Sequence, residues 1–153
     1  MKLRDKDHFP KVLVLERRWP CCHALHKMGV PTGGRIVLAQ PSEVVVLMKA
    51  VPEGRLTTII EICNALGKKH GVDGCCTLTT GIFIVVAANA EAECHGKLGI
   101  PYWRTLNSGG QLNDKYPGGI ESHQRLFERE GFSVVRKGKA YLVENYRGFL
   151  SCQ

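Results

Sequence analysis

The segment Ile82-Phe83-Ile84-Val85-Val86-Ala87-Ala88-Asn89-Ala90 is apolar almost all round. Its longest unbroken run, Gly81 to Ala88, falls well short of the ~18 residues that cross a bilayer. Thr79-Thr80-Gly81 supplies a helix N-cap before it, and Cys94-His95-Gly96 marks its end. A helix of that kind is buried on most sides. The rest of the chain must therefore provide elements to surround it.

Those elements are legible. Pro41-Ser42-Glu43 opens a helix to about Ala50, with Val44, Leu47, Met48 and Val51 on one face. Pro52-Glu53-Gly54 makes a tight turn. Thr58 and Glu61 have capping-box spacing and open a second helix, carrying Ile59, Ile62, Cys63 and Leu66 and stopping at Gly67. Residues 68–74 read as a loop before the apolar helix. Two capped helices joined by a loop, here a long one, form a helix-turn-helix candidate. Ile120 to Glu130 is an amphipathic helix with a Glu121–Arg125 pair, closed by Gly131. The strands Phe132–Arg136 and Ala140–Val143 flank Lys137-Gly138-Lys139 as a hairpin. Upstream, Lys11–Glu16 and Arg35–Ala39 read as short strands. Between them, Trp19-Pro20 to Met28-Gly29 reads as loop with one helical turn. The expected fold is mainly α with small β elements, helix-turn-helix and winged-helix-like. Residues 1–40 form an N-terminal extension and residues 41–153 the domain.

The formal charge of +7 is unevenly spread, with +5 in residues 1–40, −1 in 41–100 and +3 in 101–153. Such a distribution is compatible with nucleic acid binding without requiring it. The charged start, Met1-Lys2-Leu3-Arg4-Asp5-Lys6-Asp7, has no apolar stretch of a signal peptide, so a cytoplasmic location is expected, with the seven cysteines reduced. Cys21, Cys22, His23 and His26 cluster, but adjacent cysteines lack the spacing of a zinc ribbon and no second pair of that form follows. Neither metal nor cofactor is expected.

The order of these elements, with Pro52-Glu53-Gly54-Arg55-Leu56-Thr57-Thr58, Pro101-Tyr102-Trp103-Arg104-Thr105-Leu106, Tyr116-Pro117-Gly118-Gly119 and Glu130-Gly131, resembles the DNA-binding domain of the alkylguanine-DNA alkyltransferases and the alkyltransferase-like proteins. The likeness covers roughly Pro41 to Gly131, with an insertion before Ile100. Leu78-Thr79-Thr80-Gly81-Ile82-Phe83 is similar to a phrase of a small branch assigned to the same family. In the alkyltransferases the loop reads Pro-Cys-His-Arg. The cysteine takes an alkyl group from a flipped guanine, helped by a histidine held by a glutamate. Alkyltransferase-like proteins carry tryptophan at the cysteine and bind the lesion without repairing it.

On that resemblance this chain keeps Pro101, Arg104, Tyr116, Gly118, Gly119 and Glu130. It departs at the acceptor, where Tyr102 stands, and at the histidine, where Trp103 stands. Ile59 replaces the tyrosine that rotates the phosphate, and no arginine lies between Arg55 and Arg104 to fill the place of a flipped base. A phenol with a pKa near ~10 is no soft nucleophile, so alkyl transfer to Tyr102 is not expected. Extruding a base costs a few kcal/mol, and two contributions that offset that cost are missing. Trp103 or Phe83 could act as a substitute wedge.

The expected lesion pocket is Tyr102, Trp103, Arg104, Tyr116 and Glu130. The expected DNA contacts are Arg55, Thr57, Thr58, Thr79, Thr80, Arg104, Gly118 and Gly119, with threonines at helix N-termini suited to phosphate. Taken singly, each threonine also reads as a helix cap. The expected partner is double-stranded DNA, bound by a monomer with a repair protein as a further partner and no membrane. Two other functions follow from other residues. The apolar second helix suits a module for small molecules or proteins, and Cys75, Cys76 or Cys94, near His70 and His95, would serve a thiol enzyme.

Overall fold

The structure, a computed structural model, describes residues 3–16 and 22–151, and for Cys22 the backbone alone. Trp19, Pro20 and Cys21 of the expected loop lie outside the described residues. The apolar segment forms the helix Thr77–Glu93, and the elements preceding it are β1 (Lys11–Val14), α1 (Cys22–Lys27), β2 (Arg35–Leu38), α2 (Pro41–Lys49), β3 (Thr57–Thr58), α3 (Ile59–Lys69) and β4 (Gly74–Cys75). The apolar helix is thus α4. It is followed by β5 (Thr105–Leu106), α5 (Gly119–Arg129), β6 (Val134–Lys137) and β7 (Ala140–Val143). Five helices and three small sheets make a mixed α/β architecture among the described residues. None of these helices is long and apolar enough to cross a membrane.

The core forms where α4 packs against α2 and α3. Val44 and Met48 from α2, Ile62, Cys63 and Leu66 from α3, and Phe83, Ile84, Ala87 and Ala88 from α4 fill it. Its burial is one-sided, contrary to the expectation from composition: Leu78 and Ile82 remain 52% and 43% exposed on the opposite face. The α4 N-cap also differs from the expected Thr79-Thr80. Cys76 caps the helix, its sulfur accepting from the Thr79 backbone N–H at 3.5 Å and the Thr79 hydroxyl at 3.4 Å. A thiol is not among the usual capping side chains, so sequence pattern placed the cap at least three residues late.

Two further corrections concern the α3–α4 connection. Helix α3 does not stop at Gly67 but continues to Lys69. The glycine is needed for close approach, because a Cβ there would lie 3.1 Å from the Gly74 Cα. Residues 68–74 are accordingly not all loop. Gly74 opens β4, which runs parallel to β2 with Ile36 opposite Gly74 and Val37 opposite Cys75. β2 in turn pairs antiparallel with β1.

This sheet places the N-terminal segment on the helices. Leu15, Leu25, Val30 and Ile36 form a satellite core with Cys76. Phe9 packs on Phe83 with ring centroids 6.2 Å apart. Gln40 holds the first residues by exchanging hydrogen bonds with the Lys6 backbone, at 2.8 and 2.9 Å.

A third cluster, Leu56, Leu106, Leu112, Phe127, Phe132 and Val143, joins α5 and the hairpin to the parallel pair β3–β5. The hairpin forms about Gly138 as expected, but β6 runs Val134–Lys137 rather than Phe132–Arg136, so Lys137 pairs with Ala140 and the turn is Gly138-Lys139 alone.

Candidate functional site

The loop Pro101–Arg104 is a single 3-10 turn between α4 and β5. The Tyr102 amide donates to the Ile100 carbonyl at 2.8 Å and the Arg104 amide to the Pro101 carbonyl at 3.1 Å. Thr105-Leu106 then joins Thr57-Thr58 in the sheet, so the loop is fixed at its exit.

Arg104 brackets this loop. Its Nε and Nη2 donate to Glu130 Oε1 at 2.7 and 2.5 Å, and its Nη1 donates to the Val51 carbonyl at 2.9 Å. The Arg104 and Glu130 side chains are only 14% and 8% exposed. One guanidinium thus ties the loop to the end of α2 and the end of α5. In so little water such a pair resists separation, because removing either charge strands the other. Arg104 Cζ also lies 5.5 Å from the Trp103 ring centre.

The aromatic residues form a chain of ring contacts. Tyr102 meets Trp103 edge-on at 5.5 Å and Tyr116 edge-on at 5.3 Å, and Tyr116 meets His123 at 4.9 Å. The Tyr116 hydroxyl donates to the Thr105 carbonyl at 2.7 Å. Burial, with a contribution from the Glu91 carboxylate, raises the Tyr102 pKa above that of an ordinary phenol. Tyr102 is therefore even less able to ionise than free tyrosine.

His123 belongs to this site, although sequence reasoning did not select it. Its Nδ1 accepts from the Asn113 backbone N–H at 3.1 Å, and its Nε2–H donates to the Trp103 carbonyl at 2.7 Å. These two partners admit only the neutral Nε2–H tautomer. Burial lowers its pKa to about 4, against a smaller opposing effect of the Trp103 carbonyl. The available signal was its spacing, four residues before buried Phe127 on the inner face of α5.

A cavity of about 530 Å³ opens beside the loop, lined by Tyr102, Trp103 and Arg104 with Lys49, Glu91 and His95 among others. The structure thus brings Tyr102, Trp103, Arg104, Tyr116 and Glu130 together. Tyr116 and Glu130 lie behind the loop, outside the cavity wall.

The residues expected at DNA separate into two groups. Arg55, Gly118 and Thr79 are at least partly exposed, and Gly119 is half-buried. Gly118 and Gly119 open α5 with φ of +81° and +71°, and a Cβ on Gly118 would meet Ser122 Cβ at 2.6 Å. Only glycine tolerates that combination. Thr57, Thr58 and Thr80, in contrast, are buried. The Thr58 hydroxyl accepts from the Glu61 amide at 3.4 Å, and the Thr80 hydroxyl meets the Cys75 sulfur at 3.3 Å. Phe83 is 4% exposed within the core, so it cannot serve as a wedge, whereas Trp103 is half-buried at the loop.

The thiols and the histidine cluster are placed as follows. Cys75 and Cys76 are buried and Cys94 is exposed. His26 Nδ1 lies 2.7 Å from the Val30 carbonyl and its Nε2 3.2 Å from the Thr32 hydroxyl. Cys21 and the Cys22 side chain lie outside the described residues.

Among solved structures, S. pombe Atl1 in complex with damaged DNA containing O6-carboxymethylguanine matches with a TM-score of 0.55 and 17% identity, covering 74% of this chain and 94% of that one. The chain shares its fold with Atl1. A second structure, of S. pombe ATL in complex with DNA, matches with a TM-score of 0.54, 17% identity and the same 74% and 94% coverage. Nearly all of Atl1 is therefore contained in the likeness, and about a quarter of this chain lies outside it. No protein-family model and no curated protein sequence matches this chain.

Proposed function

We propose that this chain is a non-enzymatic, alkyltransferase-like protein that binds double-stranded DNA and takes part in recognition or repair of alkylated guanine. The observation that carries the reading is the loop. Pro101, Arg104, Tyr116 and Glu130, the positions kept on the resemblance, support the reading by bracing the loop through the Arg104–Glu130 pair and the Tyr116–Thr105 hydrogen bond, while Tyr102, at the position of the acceptor cysteine, is a phenol whose pKa is raised. That Atl1, of the same fold, was crystallised with damaged DNA supports the same direction.

In this reading α3 and α4 act as the helix-turn-helix and β6–β7 as the wing. Arg55, Thr79 and the backbone amides at the starts of α3, α4 and α5 meet phosphates, at α5 through Gly118, while the Gly119 amide donates to the Tyr116 carbonyl at 2.9 Å and shapes the turn. Thr57, Thr58 and Thr80 position that backbone rather than touching DNA. Arg104 holds the loop, and Trp103 stacks on a base.

The exposed Leu78 and Ile82 favour a second reading, in which α4 presents an apolar face to another protein. Competition between an unmodified duplex and the same duplex with one O6-alkylguanine separates the two. Tighter binding of the alkylated duplex, with no mass gain on the protein, is expected. Equal and negligible binding of both duplexes would favour the second reading.

A further inference from the structure

We infer that the cavity between the last turn of α4 and the 101–104 loop binds a small organic cation, an amidinium or ammonium group on a flat apolar body, with Glu91 as its counter-ion. The cavity shares Tyr102, Trp103 and Arg104 with the expected lesion pocket, but the inference rests on Glu91 and does not require DNA binding. Glu91 is 6% exposed, lines this cavity, and has a buried Oε2 with no hydrogen-bond partner among the described residues. A buried carboxylate ordinarily has a counter-charge or donors, because the lost hydration must be replaced.

The neighbouring cations do not meet that need. Arg104 is committed to Glu130 and the Val51 carbonyl. Lys49 and His95 line the cavity but are exposed, and neither pairs with Glu91. The remaining walls suit a flat cation. Tyr102 and Trp103 present two rings set edge to face. A ring face attracts a cation, and a carboxylate can accept two parallel N–H bonds from an amidinium. About 530 Å³ lies within the range of small-molecule sites. An anionic ligand would instead bring a second negative charge against Glu91.

Benzamidine is the probe, with benzoate and benzyl alcohol as isosteric comparators, titrated while following the Trp103 indole N–H by NMR. Benzamidine should shift that signal saturably, and the comparators should not. The conservative Glu91→Gln variant should bind benzamidine roughly ten- to a hundredfold more weakly. Lys49→Met, which removes a competing cation from the rim, should bind at least as tightly as the unaltered chain. The inference is overturned if benzoate binds as well as benzamidine, if Glu91→Gln binds unchanged, if Lys49→Met binds more weakly, or if no saturable shift occurs.

Discussion

Protonation of His123 offers a quantitative test of how the loop is held. In the folded protein its Nδ1 is an acceptor and its Nε2–H a donor, and burial pushes its pKa down to about 4 from the ordinary 6.5. The folded state therefore resists a proton that the unfolded chain takes up. The resulting stability is fully present above the unfolded pKa and is lost as pH falls towards the folded value. Between about pH 7.5 and about pH 5, these two pKa values give a loss on the order of 2 kcal/mol from this residue alone. Carboxylates also titrate near the lower limit, so the comparison must be differential. Urea unfolding of the unaltered chain and of His123→Gln at both pH values isolates the imidazole, since the amide does not titrate. The unaltered chain should lose about 2 kcal/mol more than the variant over that interval. Equal losses would refute the claim that a buried neutral imidazole supports the Trp103 carbonyl.

Two other perturbations test the frame. Glu130→Ala leaves the Arg104 guanidinium, 14% exposed, without its counter-charge and should cost roughly 3 kcal/mol in urea unfolding, with Glu130→Gln costing less. A cost near zero would mean that water screens the pair. Gly67→Ala sets a helix-propensity gain of about 1 kcal/mol against overpacking of about 1–3 kcal/mol. Because the added Cβ meets backbone at 3.1 Å, overpacking should win and lower the melting temperature. A more stable variant would contradict the tight α3–β4 approach.

The long elements were legible because their periodicity reports burial directly. Val44 and Met48 on α2, Ile62 and Leu66 on α3, and the Gly138 hairpin all stand where pattern and turn chemistry put them. What pattern could not reach were features set by contact at a distance. Gly67 reads as a helix stop because its partner, Gly74, becomes visible only once β4 pairs with β2. The two-residue pairing of Thr57-Thr58 with Thr105-Leu106 has no periodicity, so threonines read as solvent-facing caps are buried in a sheet or core. At the site, the two partners Arg104 and Glu130 stand 26 positions apart, so only the family resemblance put them in one pocket. His123 was hidden because a buried neutral histidine looks, in sequence, like a polar residue on an amphipathic helix. Glu91 was hidden for the same reason on α4.

DNA binding itself is tested most directly by the salt dependence of affinity for duplex DNA. If Arg55 and the helix N-termini meet phosphates, the logarithm of the binding constant should fall linearly with the logarithm of salt concentration, with a slope of about −2 or steeper. Arg55→Ala should reduce that slope by about one. A binding constant that does not change with salt on any duplex, alkylated or not, would contradict the proposal.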